Sequence, residues 1–176
     1  MSLRKKIIAV VGGVRPSKLL ATEAHALGRK LVDEGYRIAT GGLGGIMEAV
    51  SRGARSSTAW SDGLVIGVLP SLDATTANEF VDIAIPTGLN LARNVVLVSM
   101  ADAVIAVGGG AGTLSEIALA WQHHKPVIAL DLGEGWSSRL AGQVLDHRRP
   151  DPILRARDVN EVLAQLKEQI KGVPQS

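Results

Sequence analysis

The chain has 176 residues, 46% of them hydrophobic and 20% charged, which suits one folded globular domain and excludes wholesale disorder and fibrous repeats. Its 19 Lys and Arg against 17 Asp and Glu leave a net charge of +2, and aromatic residues make up 3%, so neither a basic field nor base-stacking platforms for nucleic acid are available. Cysteine is absent, which excludes disulfides, thiolate metal sites and a thiol nucleophile and suits a reducing cytoplasm.

The apolar run Ile7 to Val11 follows Arg4, Lys5 and Lys6 and stops at Gly12-Gly13. It is too short for a signal peptide or a membrane span and reads as a strand buried on both faces of a parallel sheet. Leu20, Ala24, Leu27 and Leu31 recur at helical spacing between Ser17 as N-cap and Gly35 as stop. A second strand is predicted over Arg37 to Thr40, after which Gly41, Gly42, Gly44 and Gly45 lead into a helix over Ile46 to Arg55. An Asp62-Gly63 turn introduces a strand over Leu64 to Leu69, closed by Pro70, and Val81 to Ile85 forms a short extended segment. Leu89 to Met100 reads as one helix, apolar around most of its circumference, which needs the sheet on one side and a partner subunit on the other. A strand over Ala103 to Val107 runs into the glycine loop Gly108 to Gly112 and a helix over Thr113 to His123, followed by a strand over Val127 to Leu130. The last helix spans Val159 to Ile170 with Asp158 as N-cap, while Ser56 to Gly63 and Gly133 to Ser138 read as loops. The strand–helix alternation predicts an α/β fold: a single-domain, Rossmann-like, doubly wound parallel sheet with helices on both faces. The domain is expected over residues 4–171, with 172–176 as a flexible tail.

In such a sheet, ligands bind beyond the carboxyl ends of the strands, where the strand order switches. Three glycine clusters fall at those ends: Gly12-Gly13, Gly41-Gly42-Leu43-Gly44-Gly45, and Gly108-Gly109-Gly110-Ala111-Gly112-Thr113. Glycine allows close backbone approach, and a following helix start offers unpaired N–H groups, so the clusters suit a phosphate. The candidate phosphate contacts are Gly12, Gly13, Arg15, Gly41, Gly42, Gly44, Gly45, Gly109, Gly110, Ala111, Gly112 and Thr113. The first loop, with Pro16, lacks G-x-G-x-x-G spacing, and the third has Gly-Thr where a P-loop needs Gly-Lys, which disfavours ordinary NAD enzymes and P-loop ATPases.

The stretch Gly108-Gly109-Gly110-Ala111-Gly112-Thr113-Leu114-Ser115-Glu116 resembles the P-G-G-x-G-T-x-x-E signature of the LOG-like (lysine-decarboxylase-like, SLOG) Rossmann-fold family, which includes cytokinin riboside 5′-monophosphate phosphoribohydrolases. Gly41-Gly42-Leu43-Gly44-Gly45-Ile46-Met47 is similar to the family's first glycine element, and the resemblance runs over nearly the whole chain. Pro86-Thr87-Gly88-Leu89-Asn90-Leu91-Ala92-Arg93-Asn94 looks like the subgroup that contains molybdenum cofactor carrier proteins. In the hydrolases an arginine of an E-R-K-type element and the signature glutamate carry N-glycosidic cleavage, which the resemblance places on Arg93 and Glu116. Ala92, Asn94 and Gly108 stand where those enzymes have Glu, Lys and Pro, and the two lost charges weigh against hydrolysis.

Plainer roles compete for the same residues. Thr113-Leu114-Ser115-Glu116 fits a T-x-x-E capping box, Arg93 can snorkel or pair at an interface, and Arg15 can be solvated. His123 and His124 are expected to complement a helix end rather than bind metal, and His25 and His147 are isolated; no metal site is expected. Trp121 is expected to pack, Trp60 and Trp136 sit in loops, and Ser17, Ser71 and Ser99 lack a base partner.

The expected function is a cytoplasmic binding protein for a phosphorylated nucleotide-like or pterin ligand, similar to molybdenum cofactor carriers. The alternative is a nucleoside 5′-monophosphate phosphoribohydrolase that uses Glu116 and Arg93. No lysine lies in a Schiff-base context, so lysine decarboxylation is disfavoured. No cofactor is required, a bound molybdenum cofactor or nucleotide being the ligand. The partners expected are a phosphorylated small molecule and further copies of the chain, as a homodimer or homotetramer built through residues 89–100, with neither nucleic acid nor membrane.

Overall fold

The computed structural model describes residues 4–171; the tail expected at 172–176 lies outside them. The chain folds as β1 (Ile7–Gly12), α1 (Lys18–Asp33), β2 (Arg37–Thr40), α2 (Ile46–Arg55), β3 (Val65–Leu69), β4 (Ile83–Pro86), α3 (Arg93–Met100), β5 (Ala103–Val107), α4 (Ala111–Gln122), β6 (Val127–Leu130), α5 (Gly135–Leu140), β7 (Leu154–Ala156) and α6 (Val159–Lys171). All strand pairs are parallel, and the sheet order is β4-β3-β2-β1-β5-β6-β7. The chain thus winds outward from β1 through β2, β3 and β4, then returns to place β5 on the other side of β1, with Ile8 opposite Ala103 and Gly12 opposite Val107.

Two cores sit on opposite faces of the sheet because alternate strand side chains point opposite ways. Ile8, Val10, Ile105 and Ile128 pack with Leu27 and Leu31 of α1, Val50 of α2, and Val162 and Leu166 of α6. Ala9, Val11, Val104 and Ala106 pack with Leu97 and Val98 of α3 and with Ile117 and Trp121 of α4. Each fully buried Leu, Ile or Val contributes about 1.5–3 kcal/mol relative to exposure, so the strands that carry the glycine loops are firmly held. Helices α1 and α2 approach backbone to backbone: a Cβ on Gly28 would collide with the Val50 carbonyl, and one on Gly53 with the His25 carbonyl.

The expected caps are present. The Ser17 hydroxyl accepts from Leu20 N–H at 3.2 Å, and Asp158 accepts from Asn160 and Glu161 N–H at 2.7 and 2.9 Å.

Several expectations are corrected. Leu89 to Met100 is not one helix: a 3₁₀ turn at Asn90–Ala92 precedes α3, and Asn90 has φ +49, which breaks the α path. Only Asn94, Leu97 and Val98 of α3 are buried, so its core face is narrower than the apolar composition suggests. Gly133 to Ser138 is not a loop, because α5 begins inside it and Ser137 is fully buried. β7 escaped the sequence reading, being three residues long at the sheet edge. No helix among the described residues is long and apolar enough to cross a membrane.

Candidate functional site

The strand order reverses between β1 and β5, so the loops after these strands diverge and leave a crevice at their carboxyl ends. Both loops are pinned from behind. Ile46 N–H of α2 donates to the Gly13 carbonyl at 3.0 Å, while Trp136 and Ser137 N–H of α5 donate to the Gly109 and Gly108 carbonyls at 3.1 and 3.0 Å. The buried Ser137 hydroxyl accepts from Gly108 N–H at 2.7 Å and donates to the Leu130 carbonyl at 2.9 Å. Gly108 and Gly109 adopt φ of +59 and +90, and a side chain on Gly109 would run into Thr113, so this turn tolerates glycine alone.

α4 starts from Gly110, whose N-cap position carries no side-chain hydrogen bond; the first helical bond runs from Leu114 N–H to the Gly110 carbonyl at 3.0 Å. The N–H groups of Ala111, Gly112 and Thr113 therefore have no intrahelical acceptor and carry the positive end of the helix dipole. A Cβ built on Gly110 or Gly112 meets nothing within 4 Å, so both positions face open space.

That space is a two-lobed cleft. The first lobe, about 240 Å³, lies on the α3/α4 side and is lined by Gly12, Gly13, Gly41, Gly110, Gly112 and Thr113, with Met47, Leu91, Arg93, Asn94 and Glu116 adding side chains. The second, about 450 Å³, lies on the α1/α2 side, where Gly109, Arg15, Glu134 and Gly135 surround an apolar floor of Leu20 and Ile46. Gly13, Val14 and Gly110 line both lobes.

Arg93, the first residue of α3, and Glu116, in the second turn of α4, come together in the first lobe: Arg93 Nη1 donates to Glu116 Oε1 at 3.0 Å. Glu116 is only 6% exposed. Burial pushes its carboxyl up to about 7, against the opposing pull of the Arg93 guanidinium, so one contact to arginine does not repay the lost hydration. Gly41 makes room for this pair, since a Cβ there would strike the Arg93 guanidinium and the Met47 sulfur.

The capping-box alternative for Glu116 fails. With Gly110 as N-cap, Thr113 is the third residue of α4 and Glu116 the sixth, beyond reach of the helix start, and its carboxylate turns to Arg93 instead. Asn94 was not foreseen as a site residue. It is buried, and its Nδ2 donates to Ser115 Oγ at 2.9 Å while that hydroxyl donates to the Gly112 carbonyl at 2.8 Å, which ties α3 to the start of α4. An amide directly after Arg93, at the start of a mostly apolar helix, was the available signal.

Of the other candidates, Gly42, Gly44, Gly45 and Ala111 line neither lobe. Gly45 has φ +70 and packs on Gly13 and Val14, and the Gly42 carbonyl accepts from Asn78 N–H at 2.8 Å; these two shape the loop from outside the cleft. Arg15 reaches the second lobe and not the first. His123 is the C-cap of α4. Trp121 is buried, with Nε1 donating to Asp146 at 3.1 Å; Trp60 donates to Asp82 at 3.3 Å beneath the Arg55 guanidinium. Trp136 lies in α5 under Arg139 rather than in a loop, so all three indoles have protein partners. Among the described residues no group of three or more His, Asp or Glu side chains could hold a metal ion.

Comparison with known proteins adds four findings. A family model described as the SLOG cluster4 family matches residues 5–163. The molybdenum cofactor binding protein of Rippkaea orientalis superposes with a TM-score of 0.83 at 39% identity over 96% of this chain and 99% of its own. The molybdenum cofactor carrier protein of Chlamydomonas reinhardtii superposes at 0.80 with 32% identity over 95% and 99%. A rice (Oryza sativa subsp. japonica) protein named as a probable cytokinin riboside 5′-monophosphate phosphoribohydrolase is 32% identical over 149 residues, covering 78% of this chain and 59% of the rice protein.

Proposed function

The chain belongs to the SLOG cluster4 family, and on that premise we propose that it is a cytoplasmic carrier that binds a phosphorylated pterin or nucleotide-like ligand, the molybdenum cofactor being the cargo favoured by its solved neighbours. The observation that carries this reading is the entrance to α4. Gly110 and Gly112 put no side chain into the first lobe, and the N–H groups of Gly112 and Thr113, both of which line it, lack helical acceptors. A phosphate seated on these donors gains the helix dipole and the Thr113 hydroxyl, while Arg93 sits in the same lobe. Such a cradle fits the phosphate of a pterin cofactor and of a nucleotide alike. The metal of the first would arrive bound to its own pterin.

Binding without turnover is favoured by the residues beside Arg93. Ala92 is exposed and uncharged, and Asn94 is buried and spent on Ser115, so the lobe lacks the two charges that flank the arginine in the hydrolase pattern. One observation favours the second reading, a nucleoside 5′-monophosphate phosphoribohydrolase: Glu116, with its carboxyl near 7, can hold or release a proton beside a bound ribose. Incubation with AMP, GMP and an N6-substituted adenosine monophosphate separates the two. The carrier reading expects no free base, together with calorimetric binding of a pterin phosphate or a nucleoside monophosphate. Base release that Glu116→Gln abolishes would establish the hydrolase instead.

We also assign the exposed apolar side chains Leu89, Leu91 and Val95 to contact between copies of the chain in a homodimer or homotetramer.

A further inference from the structure

We propose that the second lobe is a subsite of its own, which takes a diol-bearing sugar joined by a phosphate or diphosphate to the part of the ligand held in the first lobe; it rests on the reading of the first lobe as a phosphate cradle. The preferred ligand class is then a diphosphate-bridged dinucleotide type rather than a simple mononucleotide.

Three observations lead there. The lobes adjoin, sharing Gly13, Val14 and Gly110 in their linings, and the two glycines put no side chain between them: Gly13 packs so close to Gly109 that a Cβ on it would sit 3.3 Å from Gly109 Cα, and one on Gly110 meets nothing within 4 Å. Next, the second lobe has its own charged side chains, Arg15 and Glu134, over a floor of Leu20 and Ile46. A guanidinium is the donor suited to a phosphate, and a carboxylate is the acceptor suited to a vicinal diol.

Third, Glu134 is held in place yet unspent. It occupies the N-cap position of α5 but makes no capping bond to that helix. Its Oε1 accepts instead from the Ser17 hydroxyl at 2.8 Å, while its Oε2 has no partner among the described residues. The Ser17 oxygen also caps α1, so one network fixes the carboxylate to both walls of the lobe. Arg15 is exposed and has no ion-pair partner among the described residues.

Two probes test the assignment by titration calorimetry: AMP, which one lobe can hold, and di(adenosine-5′) diphosphate, which needs both. The dinucleotide is expected to bind at least about tenfold tighter than AMP, and Arg15→Ala and Glu134→Gln each to weaken the dinucleotide about tenfold while leaving AMP within about twofold. Both residues are exposed and Gln keeps the acceptor for Ser17, so circular dichroism and melting temperature should match the parent protein. Equal affinity for the two probes, or equal weakening of both by the variants, overturns the second subsite while leaving the first-lobe reading intact. Failure of the dinucleotide, AMP and a pterin phosphate alike to bind overturns it together with that reading.

Discussion

Replacing Glu116 by Gln gives a stability change whose sign depends on pH. In the folded protein burial lifts the Glu116 carboxyl from 4.5 to about 7, with Arg93 opposing and already counted in that value. The native state therefore holds a proton that the unfolded chain has released. Stability contributed by the protonated side chain is complete below about pH 4.5, declines as pH rises, and is gone above about pH 7. Each pH unit of that interval is worth ~1.4 kcal/mol, so the ionised carboxylate costs the fold roughly 3 kcal/mol at alkaline pH. Glutamine does not titrate, and its Oε1 still accepts from Arg93, whose guanidinium borders the open lobe. In urea unfolding at about pH 5 and about pH 8.5, Glu116→Gln should be near neutral at the lower value and stabilising by about 2–3 kcal/mol at the higher. All other titrations are common to both proteins and cancel in the difference. A stability difference independent of pH, or a variant less stable than the parent at the higher pH, would refute the assignment of a desolvated carboxylate. On the ligand side, Gln costs on the order of 1.5–3 kcal/mol of affinity if the carboxylate accepts from a sugar hydroxyl, and tightens binding if it faces a phosphate.

Gly112→Ala fills open space at the second residue of α4 and should raise stability by a few tenths to about 1 kcal/mol, yet weaken phosphate-ligand binding by calorimetry; unchanged binding would remove the phosphate from the α4 entrance. Ser137→Ala deprives Gly108 N–H and the Leu130 carbonyl of a buried partner and should cost about 1–3 kcal/mol in denaturant unfolding, a loss under about 0.5 kcal/mol meaning that the hydroxyl does not hold the loop. Leu91→Lys, at a residue 82% exposed, should leave unfolding free energy within about 0.5 kcal/mol while light scattering shows a smaller assembly; an unchanged mass would place the subunit contact elsewhere.

What the sequence by itself determined is what local chemistry sets. Continuous aliphatic runs such as Ile7 to Val11 and Ala103 to Val107 have few stable homes other than a sheet covered on both faces, and the structure buries Ile8 to Val10 and Ala103 to Val107 completely. Ser17 and Asp158 announce helix starts because the capping bond spans two or three residues. The glycine clusters after β1 and β5 were legible as strand-end loops, while the reversal of strand order that sets them beside the cleft is a property of the sheet.

Tertiary structure decided which local signals were used. Thr113-x-x-Glu116 is a valid cap in isolation, but Ser137 and the α5 backbone grip Gly108 and Gly109 so that α4 begins at Ala111, and the carboxylate turns to an arginine 23 residues away in sequence. α5 is six residues long, too short to show a hydrophobic period, and is held by its bonds to the β5 loop rather than by propensity. Among the glycines, only three dimensions distinguish Gly41, which clears space for the Arg93 guanidinium, and Gly45, which packs on the β1 loop, from Gly110 and Gly112, which open onto the cleft. Sequence marks a glycine as permissive; whether its missing side chain leaves room for another residue or for a ligand depends on what the fold brings within reach of its Cα.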